Sequence, residues 1–106
     1  MDESAFTALA DAEMARIEAA LEDCGADLDI EILPGGVLEV EFEDGSKVVI
    51  NRHTAAQEIW VAARSGGFHF APGDGAWIAG RDGSELYATL SRVVSEQSGQ
   101  PVTVRP

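Results

Sequence analysis

The chain has 106 residues, of which 45% are hydrophobic and 25% charged, a balance that argues for a globular fold and against disorder. At this length one domain with one ordinary core, residues 1–106, is expected, and no apolar run approaches the roughly 20 residues that a membrane helix needs. The formal net charge of −12 disfavours nucleic acid, whose phosphates would be repelled, and favours cations or a basic protein surface.

Residues 5–23 are predicted to form a helix. Phe6, Leu9, Ala10, Met14, Ile17, Leu21 and Cys24 follow the three-and-four spacing of one apolar stripe, with Ser4 placed to cap its start and Gly25 to stop it. Asp11, Glu18 and Glu22, at spacings of seven and four, share a face turned away from that stripe. Strands follow. Leu28, Ile30 and Ile32 alternate with Asp27, Asp29 and Glu31, so aliphatics take one face and acids the other. Pro34-Gly35-Gly36 turns the chain into a second strand over 37–43, where Leu38, Val40 and Phe42 oppose Glu39, Glu41 and Glu43. Asp44-Gly45 signals a tight hairpin into a strand over 47–50. Further strands are expected over 58–63, 67–70 and 76–79. A second helix opens at Asp82-Gly83-Ser84, with Ser84 as its cap, Leu86, Leu90, Val93 and Val94 as its apolar stripe, and Gly99 and Pro101 as its close. The order helix, about five or six antiparallel strands, helix makes an α+β two-layer sandwich, both helices on one face of the sheet and the other face open.

The charge is unevenly placed. Residues 1–44 carry 14 of the 19 acids and a single base, Arg16, for a net −13; residues 45–106 sum to +1. Solubility alone would spread the charge. Asp11, Glu18, Glu22, Asp23, Asp27, Asp29 and Glu31 line one acidic ridge if the first strand lies at the sheet edge beside the first helix. Carboxylate oxygens are hard ligands suited to Fe, Mn, Ca or Mg, and no closed cage is present in the pattern, so binding there is expected to be open, weak and salt-sensitive. Crowded carboxylates repel, so a cation or salt is expected to stabilise the fold at neutral pH. His53 and His69 lack metal-ligand spacing, and no catalytic constellation stands out. The lone Cys24 reads as a small core residue; it permits no internal disulfide and points to a reducing compartment, the cytoplasm. The acidic start Met1-Asp2-Glu3-Ser4 does not read as a secretory signal. Trp60 lies between Ile59 and Val61. If both of those are core, Trp60 stands on the open sheet face as a binding anchor, whereas Trp77 is expected in the core.

The stretch from Gly35-Gly36-Val37-Leu38-Glu39 through Val48-Val49-Ile50-Asn51-Arg52 resembles the centre of bacterial frataxins, as do Ile59-Trp60-Val61-Ala62, Gly66-Gly67-Phe68-His69-Phe70, Trp77-Ile78 and Asp82-Gly83. The order of elements agrees, and the likeness covers essentially the whole chain. This resemblance implies a helix–sheet–helix sandwich that binds iron, Fe2+ or Fe3+, weakly on the ridge. It implies an accessory or regulatory role in iron–sulfur cluster assembly, through contact with a cysteine desulfurase and an iron–sulfur scaffold protein, and a monomer in the absence of iron. The ridge carries over onto the seven acids just named, and the partner-facing surface onto Asn51, Arg52 and Trp60. His53 and Glu58 stand where the family often has Gln, and Glu13 where the helix is apolar in relatives. Two other readings stay open: a ferroxidase, although no histidine or tyrosine sits within the ridge, and a metal-independent acidic docking module.

Overall fold

A computed structural model describes all 106 residues. The first helix, α1 (Glu3–Glu22), starts two residues earlier than the sequence predicts. Asp2 is its cap in place of Ser4: Asp2 is extended and its Oδ1 accepts the Ala5 amide at 2.7 Å, where a carboxylate also meets the positive end of the helix dipole. Phe6, Ala10, Met14, Ile17 and Leu21 face inward as expected. Leu9 does not belong to that stripe, being 37% exposed, and Glu13, 6% exposed, takes a core position instead.

Six strands follow: β1 (Asp29–Leu33), β2 (Val37–Glu41), β3 (Lys47–His53), β4 (Glu58–Ala63), β5 (Gly66–Pro72) and β6 (Trp77–Ile78). Strand β2 ends at Glu41, short of the predicted 43. The Phe42 amide donates to the Ser46 carbonyl and closes a loop of Glu43, Asp44 and Gly45, with Gly45 at φ +85°. Strand β3 runs on to His53, so Asn51-Arg52-His53 belongs to the ladder, opposite Trp60, Ile59 and Glu58. Helix α2 (Leu86–Ser98) is capped by Glu85, whose carboxylate accepts the Tyr87 and Ala88 amides, both at 3.0 Å. Ser84, the predicted cap, gives its carbonyl to the Ala79 amide. Gly99, left-handed at φ +76°, closes α2 as expected.

The strands pair antiparallel in the order β1-β2-β3-β4-β5-β6, with both helices on one face, the α+β sandwich expected from the pattern. Leu38, Val40, Val48, Ile50, Ile59, Val61 and Phe70 turn to the helices. Each such side chain contributes about 1.5–3 kcal/mol by leaving water. Two polar devices lock the layers. Buried Gln97 on α2 accepts the Arg64 amide and donates to Ser46 and to the Lys47 carbonyl, tying α2 to β3 and the β4 end. Beyond α2, Val102 and Val104 enter the core. The Ser95 hydroxyl donates to the Val102 carbonyl and accepts its amide, and Ser91 does the same for Val104. Each serine thus serves both backbone groups of one residue, as a neighbouring strand would.

Candidate functional site

Helix α1 carries carboxylates on two flanks. On the flank facing β6 and α2, Glu13 accepts from Trp77 Nε1 at 3.2 Å, from the Tyr87 hydroxyl, and from Arg16 Nη2 at 2.8 Å. Burial by itself would push this carboxyl up; the hydrogen bonds from Arg16, Tyr87 and Trp77, with the Arg16 charge, outweigh that and hold it below its ordinary range. Burial and the adjacent carboxylate in turn push the Tyr87 hydroxyl well above the usual tyrosine range. Glu13 is therefore a structural anion, its charge consumed inside the fold.

On the other flank stand Asp11, Glu18 and Glu22. Asp11 is not free: its carboxylate is bound by the Arg52 guanidinium from β3. Arg52 runs past the Pro34–Gly36 turn, its amide donating to the Gly36 carbonyl at 2.8 Å. The approach is so close that a Cβ on Gly36 would lie 3.0 Å from Arg52 Cβ, Cζ and Nη1, and Gly36 itself sits at φ +77°. Val48, Ile50 and Arg52 share the helix-facing side of β3, whereas Asn51 and His53 alternate to the open side. The structure therefore separates Arg52 from Asn51 and Trp60, with which the family resemblance groups it.

Glu22 and Asp23 continue around the end of α1 and line a shallow hollow with Arg16, Arg105 and Pro106. Asp27, Asp29 and Glu31 lie apart from them, at the sheet edge. There Asp29 is directly opposite Glu41 and Glu31 opposite Glu39, like charges paired across β1 and β2 on the open face. Lys47 relieves part of this. Its Nζ is 3.0 Å from Glu39 Oε1, and that hydrogen bond, with the charges of Glu39, Glu41 and Glu31, raises its pKa. The ridge is thus two acid groups, one along α1 and one on the β1 edge, and the second is enlarged by Glu39, Glu41 and Glu43, which line hollows with Asp27 and Asp29. The alternation of those glutamates is visible in the sequence; their place beside the β1 acids follows from the strand register. Five of the seven bases are ion-paired, to Glu13, Glu39, Asp11, Asp44 and Glu96, so Glu18, Glu22, Asp23, Asp27, Asp29 and Glu31 have no basic partner. Nowhere do three acidic, histidine or cysteine side chains converge to enclose an ion.

The open face of the sheet holds an aromatic stack. Ile59 and Val61 are buried, so Trp60 faces outward as predicted, and Trp77 is in the core as predicted. The His53 ring lies on one face of the Trp60 indole, centroids 3.8 Å apart, and the His69 ring on the other, at 4.1 Å. Glu58 Oε1 accepts the indole N–H at 2.9 Å. Asn51, paired opposite Trp60, borders the stack. His69 was not expected in this surface; only the register of β3, β4 and β5 brings it, with His53 and Glu58, to one indole.

Residues 1–100 match the family model for the frataxin-like domain. The chain is 55% identical over 105 residues to the iron-sulfur cluster assembly protein CyaY of Dechloromonas aromatica, covering 99% of this chain and all of that one. It is 55% identical to the protein of the same name from Ralstonia nicotianae, over 98% and 95% of the two chains. Among solved structures, frataxin from Psychromonas ingrahamii superposes with a TM-score of 0.89 at 34% identity, covering both chains fully. Trimeric yeast frataxin complexed with ferrous iron superposes with a TM-score of 0.71 at 26% identity, over 94% and 88% of the chains. With this sandwich, this open sheet face and these matches over nearly its whole length, the chain belongs to the frataxin family, beside its bacterial CyaY-type members.

Proposed function

We propose that this protein is an iron-binding accessory protein of iron–sulfur cluster assembly, holding iron as cargo on exposed carboxylates and docking on a cysteine desulfurase and its scaffold. The observation that carries this is the set of six acids Glu18, Glu22, Asp23, Asp27, Asp29 and Glu31, gathered in two groups and without a basic partner in a chain where five of the seven bases are already bound to other carboxylates. Such oxygens suit ferrous or ferric iron. Spread over two open groups with no enclosing cage, they would each replace only part of an ion's water shell, which makes for weak, salt-sensitive retention and easy release. The names of the bacterial relatives and the ferrous complex of the yeast protein support the same reading. Asn51 and Trp60, with the stacked histidines, form the surface for the scaffold or desulfurase; Arg52 serves by holding α1 to β3.

The role is binding rather than catalysis. Tyr87, the chain's one tyrosine, is sealed against Glu13 and offers no redox partner to the ridge. The single half-buried thiol, Cys24, suits a cytoplasmic setting. An anaerobic amide NMR titration with Fe(II) tests the proposal. Shifts or broadening confined to residues 11–31 and 39–43, lost when Glu18→Gln, Glu22→Gln and Asp23→Asn are combined with Asp29→Asn and Glu31→Gln, are expected. An unchanged spectrum at excess metal would overturn the metal role and leave the acids as docking groups alone. Oxygen uptake with Fe(II) should match buffer; stimulation would restore the ferroxidase reading.

A further inference from the structure

Strand β1 ends the sheet on the side opposite β6. The Arg52 amide bonds to the Gly36 carbonyl, which fixes the alternation along the next strand: residues 36, 38 and 40 bond toward β3, and 37, 39 and 41 toward β1. In β1 their partners Leu33, Glu31 and Asp29 bond inward, and Ile30 and Ile32 therefore direct their N–H and C=O groups out of the sheet. No turn, cap or side chain in the protein meets those four groups. The side chains beside them differ by face. Ile32, on the helix side, is 64% exposed, while Ile30 packs partly against the core. Asp29 and Glu31 stand on the other face with Glu39 and Glu41 opposite. A short strand edged with like charges is a common protection against pairing with copies of the same chain. A second copy laid on this edge would bring Asp29 and Glu31 against their own equivalents.

We propose that the β1 edge takes an extended, basic segment of a partner protein as an added strand, its apolar residues over Ile30 and Ile32 and its lysines or arginines over Asp29 and Glu31. Side chains of an added strand alternate with the same period of two, so one alternating basic–apolar segment satisfies both faces while its backbone satisfies the four outward groups. This rests on the reading of the acids as a docking surface and adds the mode by which a partner is held.

The test uses the full chain and a synthetic blocked octapeptide of alternating lysine and valine. Its control is the same peptide N-methylated at the valines, whose amides would face β1. The unmodified peptide is expected to slow amide exchange at Ile30 and Ile32 about tenfold or more and to shift residues 29–33, and the methylated peptide to do neither. Ile32→Pro removes one outward donor at an edge position where proline is tolerated and should abolish the protection. Equal binding of the methylated peptide would overturn strand addition while leaving acidic docking intact. Absence of binding by either would overturn both, with the Fe(II) titration still reporting on the metal role separately. Protection of Ile30 and Ile32 that instead grows with protein concentration and salt would name a second copy as the occupant and overturn the proposal.

Discussion

The two flanks of α1 use the same chemical group to opposite ends. Glu13 is buried, held by three donors and drawn below its ordinary pKa range; Glu18, Glu22 and Asp23, further along and past the end of the same helix, have no basic partner. A carboxylate that the fold has satisfied contributes to stability and has nothing left for a ligand. One that the fold leaves alone contributes self-repulsion and keeps its capacity for a cation or a basic partner. The difference lies in what faces each flank: Trp77 and Tyr87 on one side, and on the other solvent, apart from Arg52 at Asp11.

The comparison breaks most visibly at Glu13. Glu13→Gln retains the shape but puts an NH2 where a second acceptor oxygen was, so at least one of Arg16, Tyr87 and Trp77 loses its acceptor. A loss of about 1–3 kcal/mol in denaturant unfolding is expected, and Glu13→Ala should cost at least as much. The sign of the pH effect follows from the depressed pKa: Glu13 contributes its stability above the unfolded carboxyl value and loses it as pH falls through the lower folded value. Wild-type stability measured against pH should show this acid arm, and Glu13→Gln should flatten it. An unchanged arm would mean the network is not set by charge.

Gly36→Ala comes next. It places a Cβ in a left-handed position and against Arg52, and should cost about 1–2 kcal/mol by thermal unfolding while loosening the Arg52–Asp11 contact. The ridge answers in the other direction. Glu18→Gln, Glu22→Gln and Asp23→Asn together should raise stability at low salt by roughly 0.5 kcal/mol and reduce the stabilisation that NaCl or Ca gives the wild type. A loss as large as that of Glu13→Gln would erase the distinction between the flanks. A comparably small effect is expected on the open sheet face. His53→Ala uncovers one side of the Trp60 indole and should red-shift its emission over the constant contribution of buried Trp77, at a stability cost of about 0.5–1 kcal/mol.

Much of the architecture was legible in the residues. Alternation separated Ile59 and Val61 from Trp60, and glycine and proline marked the turns. The helix stripe failed at Leu9 and Glu13 because periodicity treats a carboxylate as an outside group, and the donors that make Glu13 an inside one, Trp77 and Tyr87, are 64 and 74 residues away. The one signal at hand was its departure from an apolar position. Arg52 was within reach: Val48, Ile50 and Arg52 form one period-two series, and a strand ended at residue 50 hid it. The division of the ridge and the His53–Trp60–His69 stack were not within reach, since both depend on strand register, which no single segment encodes.

The serine-pinned stretch at Val102 and Val104 has a consequence for how the fold opens. Ser91 and Ser95 are set about one turn apart by α2, and they hold both backbone groups of Val104 and Val102. The stretch can dock only on a formed helix, so amide exchange at Val102 and Val104 should follow that of α2 rather than that of the sheet.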